Sequence, residues 1–457
     1  MEQPMQMTRR GFLRASALNV AGAAFAGPLT LRGSAASTQA NRKIDLAVVG
    51  CGGQGRGDMA GMLATGEVNL VALCDPDAAQ IERARAAAGS NGGALAEGYE
   101  DYRRLLDAAS SYDAVLIATP DHWHAPLCKA FVQAGKHIYC EKPLTHSVAE
   151  ARELREMARR SKVVTQMGNQ GSASESLRRC TEIIRAGALG QVRDVYLWGI
   201  GVGANEGSAP GEDPIPAGFN WDLWVGPSAM RPYRKDVYHP FAWRGWFDFG
   251  NGGLADFCCH AINLPMRALV LGYPDRLVVH MDERGQQIPG QAAVEFHFAR
   301  RGKLDPVVLH WMGGEKPPAE VTQPLADLFG DKVPDGVMIV GEKGCIHTSH
   351  WNTDGLIRLN GEHGLQRVTD HAGTRDIPRT LPRTQGHDRE WLAACRGEGR
   401  TFSDFEIGGK LTEIGLAGVV ALRAHKTIEW DGARMRAKNA PDAARFIRTE
   451  YRKKWLI

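Results

Sequence analysis

Between residues 42 and 167, short apolar runs alternate with segments whose apolar residues recur at helical spacing. We expect strands at 44–49, 68–74, 114–119, 137–140 and 163–166, and helices at 78–88, 126–134 and 147–161. Strands separated by helices are typical of βαβ units, in which the strands pair in parallel. The pattern therefore predicts an α/β domain with a doubly wound parallel sheet over residues 42–167.

After about residue 168 the pattern changes from alternating strands and helices to strands of alternating polarity. Apolar and polar residues alternate at 293–298, 307–311 and 336–340, as in strands that bury one face. Helical spacing appears at 177–186 and again at 408–424. We expect a second α/β domain over 168–430 with a large, mostly antiparallel open sheet, followed by a basic tail at 431–457.

The N-terminus has the features of an export signal and is excluded from the fold prediction. Paired arginines occur in Thr8-Arg9-Arg10-Gly11-Phe12-Leu13-Arg14, an apolar stretch covers 15–31, and small residues follow at Ser34-Ala35-Ala36. This order predicts a twin-arginine signal over residues 1–36 and a periplasmic or secreted protein. The alternative is an amphipathic helix in which two arginines are adjacent by chance.

Overall charge gives no sign of a polyanionic partner, because 55 basic and 52 acidic residues leave a net charge of +3. We therefore expect neither nucleic acid nor an anionic membrane as a partner, and no later apolar run is long enough to span a bilayer. The nine cysteines form no C-x-x-C pair, which favours buried free thiols over disulfides or structural zinc. No metal is expected.

A glycine-rich turn directly follows the first predicted strand and reads Gly50-Cys51-Gly52-Gly53-Gln54-Gly55. In this spacing Gly50 allows a tight turn, Gly52 lets the backbone approach a pyrophosphate, and Gly55 allows close helix packing. Asp75 ends the second strand, where a carboxylate accepts both adenosine-ribose hydroxyls and repels a 2′-phosphate. We expect NAD rather than NADP; the alternative is a glycine turn without a ligand.

Two later strands end in polar sequence, Thr119-Pro120-Asp121-His122-Trp123-His124 and Glu141-Lys142-Pro143. Ligands of open α/β sheets bind at the carboxyl ends of strands, so both segments should flank the nicotinamide. We expect cofactor contacts from Thr119, Pro120, His124, Glu141 and Lys142. A desolvated Lys142 ammonium would also stabilise a substrate alkoxide. Alternatively, Lys142 is a surface charge, and the paired histidines favour a pocket wall or helix cap over a metal site.

Asp256 and His260 are four residues apart in Gly252-Gly253-Leu254-Ala255-Asp256-Phe257-Cys258-Cys259-His260. On a helix this spacing puts both side chains on one face. The imidazole would then take a hydroxyl proton while the carboxylate orients it. A structural ion pair and a metal pair are the alternatives, and a metal would need a third ligand that the spacing does not supply.

Residues 44 to about 430 resemble the glucose–fructose oxidoreductase / inositol dehydrogenase / rhizopine-catabolism family, Gfo/Idh/MocA. The resemblance rests on the glycine turn and Asp75, the Thr119-Pro120 strand end with His124, Ala134-Gly135-Lys136-His137, Glu141-Lys142-Pro143, and Gly252-Gly253 ahead of Asp256 and His260. It implies a Rossmann domain, an α/β domain with a large open sheet, and hydride transfer at a sugar or cyclitol carbon. It also implies catalytic roles for Lys142, Asp256 and His260, and a homo-oligomer, dimer or tetramer.

The sequence departs from the family pattern at Asp121, where many members carry Asn, and in an aromatic insertion over 199–247 typical of a secreted branch. Aromatic faces stack on pyranose rings, and polar side chains bind their hydroxyls. We therefore expect substrate contacts from Trp123, Asn169, Tyr238, His239, Trp243, Arg244 and Trp246. These tryptophans could equally pack a domain interface.

Export restricts the reaction, since there is no obvious pool of free NAD outside the cytoplasm. We expect an NAD-dependent oxidoreductase that keeps its NAD and completes a redox-neutral cycle. One sugar reduces the cofactor and a second reoxidises it; alternatively, transient oxidation at C3 of a glycoside allows elimination of the glycosidic bond before the hydride returns. The other possibilities are a non-catalytic sugar- or NAD(H)-binding protein and a cytoplasmic dehydrogenase that uses diffusible NAD.

Overall fold

The computed structural model describes residues 42–455, except for 90–92, 94–95, 282–287 and 289. The expected twin-arginine segment over 1–36 lies outside the described residues. Among the residues described, no helix is both long and apolar enough to cross a bilayer.

A six-stranded parallel sheet forms the N-terminal domain, in the order β3-β2-β1-β4-β5-β6. Its strands are β1 (Ile44–Val49), β2 (Val68–Cys74), β3 (Glu97–Tyr99), β4 (Ala114–Ile117), β5 (His137–Glu141) and β6 (Thr165–Gly168). The helices between them are α1 (Gly53–Ala64), α2 (Ala78–Ala88), α3 (Tyr102–Asp107), α4 (Asp121–Gln133) and α5 (Val148–Arg160). The predicted doubly wound fold is confirmed.

The chain order reverses between β1 and β4, and this reversal creates the crevice in which the site lies. All four residues of β4, Ala-Val-Leu-Ile, are buried, because helices cover both faces of a parallel sheet. From β1 the chain crosses to β2 on one side, whereas the strands after β4 lie on the other. The loops that follow β1 and β4 therefore separate at the carboxyl edge and leave room for a ligand.

A ten-stranded sheet forms the second domain, in the order β14-β13-β12-β11-β7-β10-β9-β8-β15-β16. Its strands are β7 (Val192–Trp198), β8 (Arg276–His280), β9 (Ala293–Phe298), β10 (Val307–Met312), β11 (Gly336–Gly341), β12 (Gly344–Thr348), β13 (Leu356–Leu359), β14 (Gln366–Arg367), β15 (Ile428–Asp431) and β16 (Arg436–Ala437). Only β7 and β10 pair in parallel; the other pairs are antiparallel, as expected of this domain.

Helices pack on both faces of this sheet. The helices of this part of the chain are α6 (Glu175–Arg185), α7 (Trp221–Val225), α8 (Gly252–Ala261), α9 (Asn263–Ala268), α10 (Ala319–Phe329), α11 (His387–Cys395) and α12 (Phe405–Ala424). Side chains of α6, α8, α9 and α12 join the core on one face, whereas Leu325 of α10 packs against Trp198 and Met338 on the other. Along β9, Val294, Phe296 and Phe298 are buried while the residues between them are partly exposed. This alternation is the period of a strand that buries a single face.

The long helix α12 joins the two sheets through buried ion pairs and close packing. Glu413 on α12 accepts hydrogen bonds from Arg155 on α5 at 2.6 Å and from Arg152 at 2.7 Å. On another face, Gly415 lies so close to α8 that a Cβ there would be 2.1 Å from Cys258 Sγ. The position of α8, which carries Asp256 and His260, is therefore fixed by α12.

The aromatic insertion docks on the N-terminal domain at the end of β2. The amide of Ala78 donates to the Gly218 carbonyl at 3.0 Å, and the amide of Asn220 donates to the Pro76 carbonyl at 2.8 Å. The insertion has its own buried core of Phe219, Trp221, Trp224, Val225, Tyr233, Tyr238, Trp243 and Phe249. The insertion therefore forms a folded cover that packs on the nucleotide-binding domain.

Most predicted elements match the structure, and the differences have local causes. Helix α4 begins at Asp121, five residues before the predicted start at 126, and Pro126 lies within it. Because the polar sequence after Thr119 was interpreted as a strand end, the first turn of α4 was missed. The strand predicted at 163–166 is β6 at Thr165–Gly168.

Candidate active site

The glycine turn after β1 forms an open cradle at the N-terminus of α1. Gly50 has a φ of +88°, and a Cβ there would lie 2.6 Å from the Ala118 carbonyl oxygen, so the turn requires glycine. A Cβ at Gly53 would meet nothing within 4 Å, because this position faces open space. Gly52, Gly53 and Gln54 line the same cavity. The free amides at this helix end suit a pyrophosphate.

Asp75 lies at the end of β2 and is held by two backbone amides. Its Oδ2 accepts from Cys51 N at 2.8 Å and its Oδ1 accepts from Asp77 N at 2.9 Å. Burial raises the pKa of the Asp75 carboxyl to about 6, although both amide bonds favour the charged form. The side chain lines the cavity beside the glycine turn, where the ribose of a dinucleotide would bind.

The insertion covers this end of the cavity with His239, Pro240 and Phe241. His239 Nε2 lies 3.0 Å from Asp77 Oδ2, while the other oxygen of this carboxylate, Oδ1, accepts from Ala79 N and caps α2. The expected substrate contact of His239 stays a prediction: the residue lines the cavity, at the end that contains Asp75. The sequence gives no information on where the insertion folds back, so this placement could not be predicted.

The ends of β4 and β5 are joined through His124. Its Nδ1 lies 2.7 Å from the Pro143 carbonyl and its Nε2 lies 2.9 Å from the Thr119 carbonyl. Burial lowers the pKa of His124 to about 4, so the ring is neutral near pH 7. Thr119 and Pro120 line the cavity, and His124 fixes the backbone behind them.

Glu141, at the cavity wall, and the buried Asp58 are neighbouring carboxyls that Gln170 bridges. Glu141 Oε1 accepts from Gln170 Nε2 at 2.9 Å, and Asp58 Oδ1 accepts from Gln54 Nε2 at 2.8 Å. Burial and then the charge of Asp58 raise the pKa of Glu141, and burial raises the pKa of Asp58 to about 6. Sequence reasoning missed Asp58 and Gln170, because neither belongs to a motif.

Lys142 and Asp256 form an ion pair between β5 and α8. Lys142 Nζ donates to Asp256 Oδ1 at 2.7 Å, and their side chains are 13% and 17% exposed. Burial disfavours the ammonium, but Asp256 and then Glu141 outweigh it and raise the pKa of Lys142 above its usual value. Arg244 Nε lies 3.8 Å from the same carboxylate oxygen. Lys142 is therefore a charged donor at the cavity wall.

His260 lies on α8 with Asp256, as predicted, but the two side chains do not share the expected hydrogen bond. Asp256 bonds to Lys142 instead, and neither ring nitrogen of His260 has a partner among the described residues. Burial and then the charge of Lys142 lower the pKa of His260 well below its usual value, so the ring is neutral. It lines the cavity as an unsatisfied proton acceptor.

The other predicted substrate residues are divided between the cavity and the core. Trp123, Trp243 and Arg244 line the cavity. Tyr238 is fully buried in the insertion core, and Trp246 packs against the same core at 5.1 Å between ring centroids. Asn169 is fully buried and donates to the Cys259 carbonyl at 3.2 Å. These last three are not brought to the site: burial of the two aromatic rings away from water is favourable, and Asn169 is held by hydrogen bonds to Cys259 and Ser403.

Trp351 also lines the cavity, and sequence reasoning did not identify it. Its ring centroid lies 4.1 Å from that of His260, and 44% of the residue is exposed. Trp351 follows β12, far along the chain from the predicted motifs. The sequence feature that could have indicated a site residue here is an isolated tryptophan, in His350-Trp351-Asn352.

Two family models match the chain. One, described as an oxidoreductase family with an NAD-binding Rossmann fold, matches residues 44–169. The other, described as the C-terminal alpha/beta domain of the oxidoreductase family, matches residues 200–298. The chain belongs to the Gfo/Idh/MocA family of NAD-binding oxidoreductases. The open glycine turn after β1 and the carboxylate of Asp75, which two backbone amides hold in place, fit NAD, which this family's Rossmann domain binds.

Curated relatives match shorter stretches. A glycosyl hydrolase family 109 protein of Shewanella amazonensis is 32% identical over 32% of this chain and 35% of its own length. Rhizopine catabolism protein MocA of Rhizobium meliloti is 32% identical over 37% of this chain and 51% of its own. The chain thus spans about a third of the length of the first of these curated relatives and about half of the second.

Solved structures share the whole fold at low identity. Levoglucosan dehydrogenase, in complex with NADH and levoglucosan, has a TM-score of 0.57 and 15% identity over 85% of this chain and 99% of that one. Aldose-aldose oxidoreductase from Caulobacter crescentus, complexed with glycerol, has a TM-score of 0.56 and 16% identity over 85% of this chain and all (100%) of its own.

Proposed function

We propose that this protein is an NAD-dependent oxidoreductase that transfers a hydride at a hydroxyl-bearing carbon of a sugar or glycoside. The observation that carries the proposal is His260, a buried neutral imidazole in one cavity with Lys142 and the nucleotide cradle, whose two nitrogens have no partner within the described part of the chain. An unsatisfied buried polar group costs about 1–3 kcal/mol. A substrate hydroxyl would supply the missing partner.

Each side chain has a distinct task. His260 accepts the hydroxyl proton, for which its neutral state is required. Lys142 donates to the same oxygen and stabilises its developing negative charge, and Asp256 keeps the ammonium charged and in place. Bound NAD, held by Gly52, Gly53 and Asp75, supplies the hydride acceptor.

We infer that NAD is retained between turnovers and that the cycle is redox-neutral. The support is the cover over the adenosine end, where Trp224, His239, Pro240 and Phe241 line the same cavity as Asp75. The insertion is fastened there by backbone hydrogen bonds and by the His239–Asp77 contact. Release of the dinucleotide would require this cover to open.

A second candidate is redox-assisted cleavage of a glycoside by transient oxidation at C3. It is favoured by the glycosyl hydrolase family 109 relatives from Shewanella amazonensis and Saccharopolyspora erythraea. In this cycle the C3 ketone acidifies the C2 proton, the aglycone leaves from C1, and water adds before the hydride returns. The same Lys142 and His260 would serve the C3 hydroxyl.

A glycoside panel tests both reactions. The protein is purified without added NAD, denatured, and assayed for released dinucleotide. The native protein is then incubated with free sugars and glycosides, and absorbance of NADH is read in parallel with product analysis. We expect bound dinucleotide and either an oxidised sugar or a released aglycone. Absence of released dinucleotide would contradict NAD retention, and absence of any sugar product would contradict the proposed enzyme.

Substitution of His260 separates the enzyme from a non-catalytic binding protein. His260→Ala should abolish turnover while bound NAD is unchanged, since His260 is absent from the nucleotide cradle. His363→Ala, at an exposed position after β13, is the matched control. Unchanged turnover in His260→Ala would refute the assigned role.

We also propose export in the folded state through the predicted twin-arginine signal, and assembly into a homo-oligomer. Replacing Arg9 and Arg10 by Lys should keep the protein in the cytoplasm; a wild-type protein found only there would favour a cytoplasmic dehydrogenase. Assembly is supported by the part of the ten-stranded sheet at β9, where alternate side chains are partly exposed. Light scattering would test it, and a monomer would contradict it.

A further inference from the structure

We propose that Trp351 is the sugar-stacking residue of this site and that it selects substrates with a pyranose ring over open-chain polyols. The proposal rests on the proposed function and adds a substrate class to it. Trp351 is one of the few large apolar side chains that are exposed among the described residues, and it lines the cavity that contains Lys142 and His260.

The turn that carries Trp351 is held by hydrogen bonds. Asn352 is fully buried in the left-handed region, with a φ of +58°. Its Oδ1 accepts from Leu264 N at 3.2 Å, and its Nδ2 donates to the Ser349 carbonyl at 3.2 Å. His350 Nε2 donates to the Trp198 carbonyl at 2.7 Å on the other side of Trp351. The backbone is thus held on both sides, although 44% of Trp351 itself is exposed.

Neighbouring rings fix the indole beside the reacting groups. The His260 ring lies at 4.1 Å and 44° to the indole, and the Phe257 ring meets it edge-on at 6.3 Å. Lys142 Nζ lies 5.5 Å from the centroid of the same Phe257 ring. A sugar bound against the indole would therefore lie within reach of both the ammonium and the imidazole.

An aromatic face that lines a cavity is typical of a small-molecule site, whose walls are mostly apolar and aromatic. The C–H groups on one face of a pyranose form a flat apolar patch that matches an indole, whereas a linear polyol presents no such face. Stacking orients the ring while its hydroxyls remain free for Lys142 and His260. Trp351 is therefore expected to contribute to binding and orientation, with no proton or hydride passing through it.

The test compares Trp351→Ala and Trp351→Phe with the wild type. Phe329→Ala is the matched control, since Phe329 is also 44% exposed but lies at the end of α10, away from the cavity. Methyl β-D-glucopyranoside, methyl α-D-galactopyranoside and methyl β-D-xylopyranoside are compared with D-glucitol. Calorimetric Kd values are measured on the NAD-loaded protein, together with KM and kcat wherever turnover occurs.

We expect Trp351→Ala to weaken binding of at least one pyranoside about tenfold, with KM rising more than kcat falls, and to leave glucitol almost unchanged. Trp351→Phe should restore most of the affinity, and bound NAD should be equal in all variants. The inference is overturned if no pyranoside binds the wild type, or if Trp351→Ala binds pyranosides as well as the wild type does. It is also overturned if kcat/KM rises in Trp351→Ala, because Trp351 would then be a gate over His260. If the wild type binds pyranosides and Trp351→Ala binds them more weakly as expected, but no turnover is seen, only the proposed hydride transfer is refuted.

Discussion

The ion pair between Lys142 and Asp256 is expected to show strong energetic coupling, which a double-mutant cycle measures without knowledge of the substrate. The perturbations are Lys142→Met, Asp256→Asn and the two combined. The two side chains are mostly buried and meet at 2.7 Å. A charge-assisted hydrogen bond of this kind contributes about 1.5–3 kcal/mol to the free energy of unfolding. The double variant should therefore be more stable than the sum of the single losses predicts, by about that amount.

The assay is urea unfolding of NAD-free protein, followed by tryptophan fluorescence. The pair Arg160–Glu156 on α5 is the control, since its side chains are 80% and 50% exposed and 3.4 Å apart. Exposed pairs of this type couple by about 0.3–0.5 kcal/mol. If the losses of stability in the two single variants at Lys142 and Asp256 are nearly additive, as expected at the control pair, the geometry on which the proposed mechanism depends is refuted.

The pH dependence of this coupling is fixed by the direction of the shift. The pKa of Lys142 is raised in the folded chain, so its stabilising contribution is complete below the unfolded pKa and is lost only as pH rises through the higher folded value. Coupling measured at about pH 7 and about pH 9 should therefore agree, since an unperturbed lysine titrates near 10.4. A large decrease in the coupling by pH 9 would mean that burial lowers the pKa of Lys142 by more than Asp256 raises it.

Three further predictions concern the cradle, the ribose carboxylate and the packing of α8. Gly52→Ala should fold normally, because a Cβ there would have only Gln80 Oε1, at 3.9 Å, within reach, yet calorimetry should show NAD affinity reduced at least about tenfold by loss of the close backbone approach; unchanged affinity would contradict the cradle. The pKa of Asp75 is raised to about 6 by burial, so the ionised acceptor is lost as pH falls, and NAD should bind about tenfold more weakly at pH 5 than at pH 8. Equal affinities would show that Asp75 does not bind the ribose in its charged form. Gly415→Ala should lower the free energy of unfolding by about 1–3 kcal/mol by overpacking against Cys258 Sγ, and Cys258→Ala in the same chain should recover part of the loss; no recovery would place the strain elsewhere.

Local pattern was sufficient for the N-terminal domain. The strands at 44–49 and 68–74 and the helix at 78–88 have the bounds predicted from their apolar spacing. They could be predicted because a buried parallel strand and an amphipathic helix each leave their own period in the sequence. Strands of the second domain whose sequence alternates clearly, such as β9 at Ala293–Phe298, were predicted for the same reason.

Short edge strands and turns were harder to predict from the sequence. β3, at Glu97–Tyr99, and β14, at Gln366–Arg367, contain little apolar sequence, since edge strands are partly exposed and are held mainly by backbone pairing with a neighbour. Helix α10 was also missed, because Pro324 within it reads as a helix breaker.

The sequence by itself determined the two-sheet architecture and the NAD cradle, because each rests on a short periodic pattern or on residue types at fixed spacing. It also offered Lys142, Asp256 and His260 as candidates, through their motifs and the family resemblance. Only the tertiary structure decided that Asp256 bonds to Lys142 and leaves His260 free, that His239 faces the adenosine end, and that Trp351 enters the cavity. These contacts join residues about 90 to 160 positions apart in the chain. Such pairings are set by how the sheets and the insertion pack together, and that packing leaves no periodic pattern in the sequence.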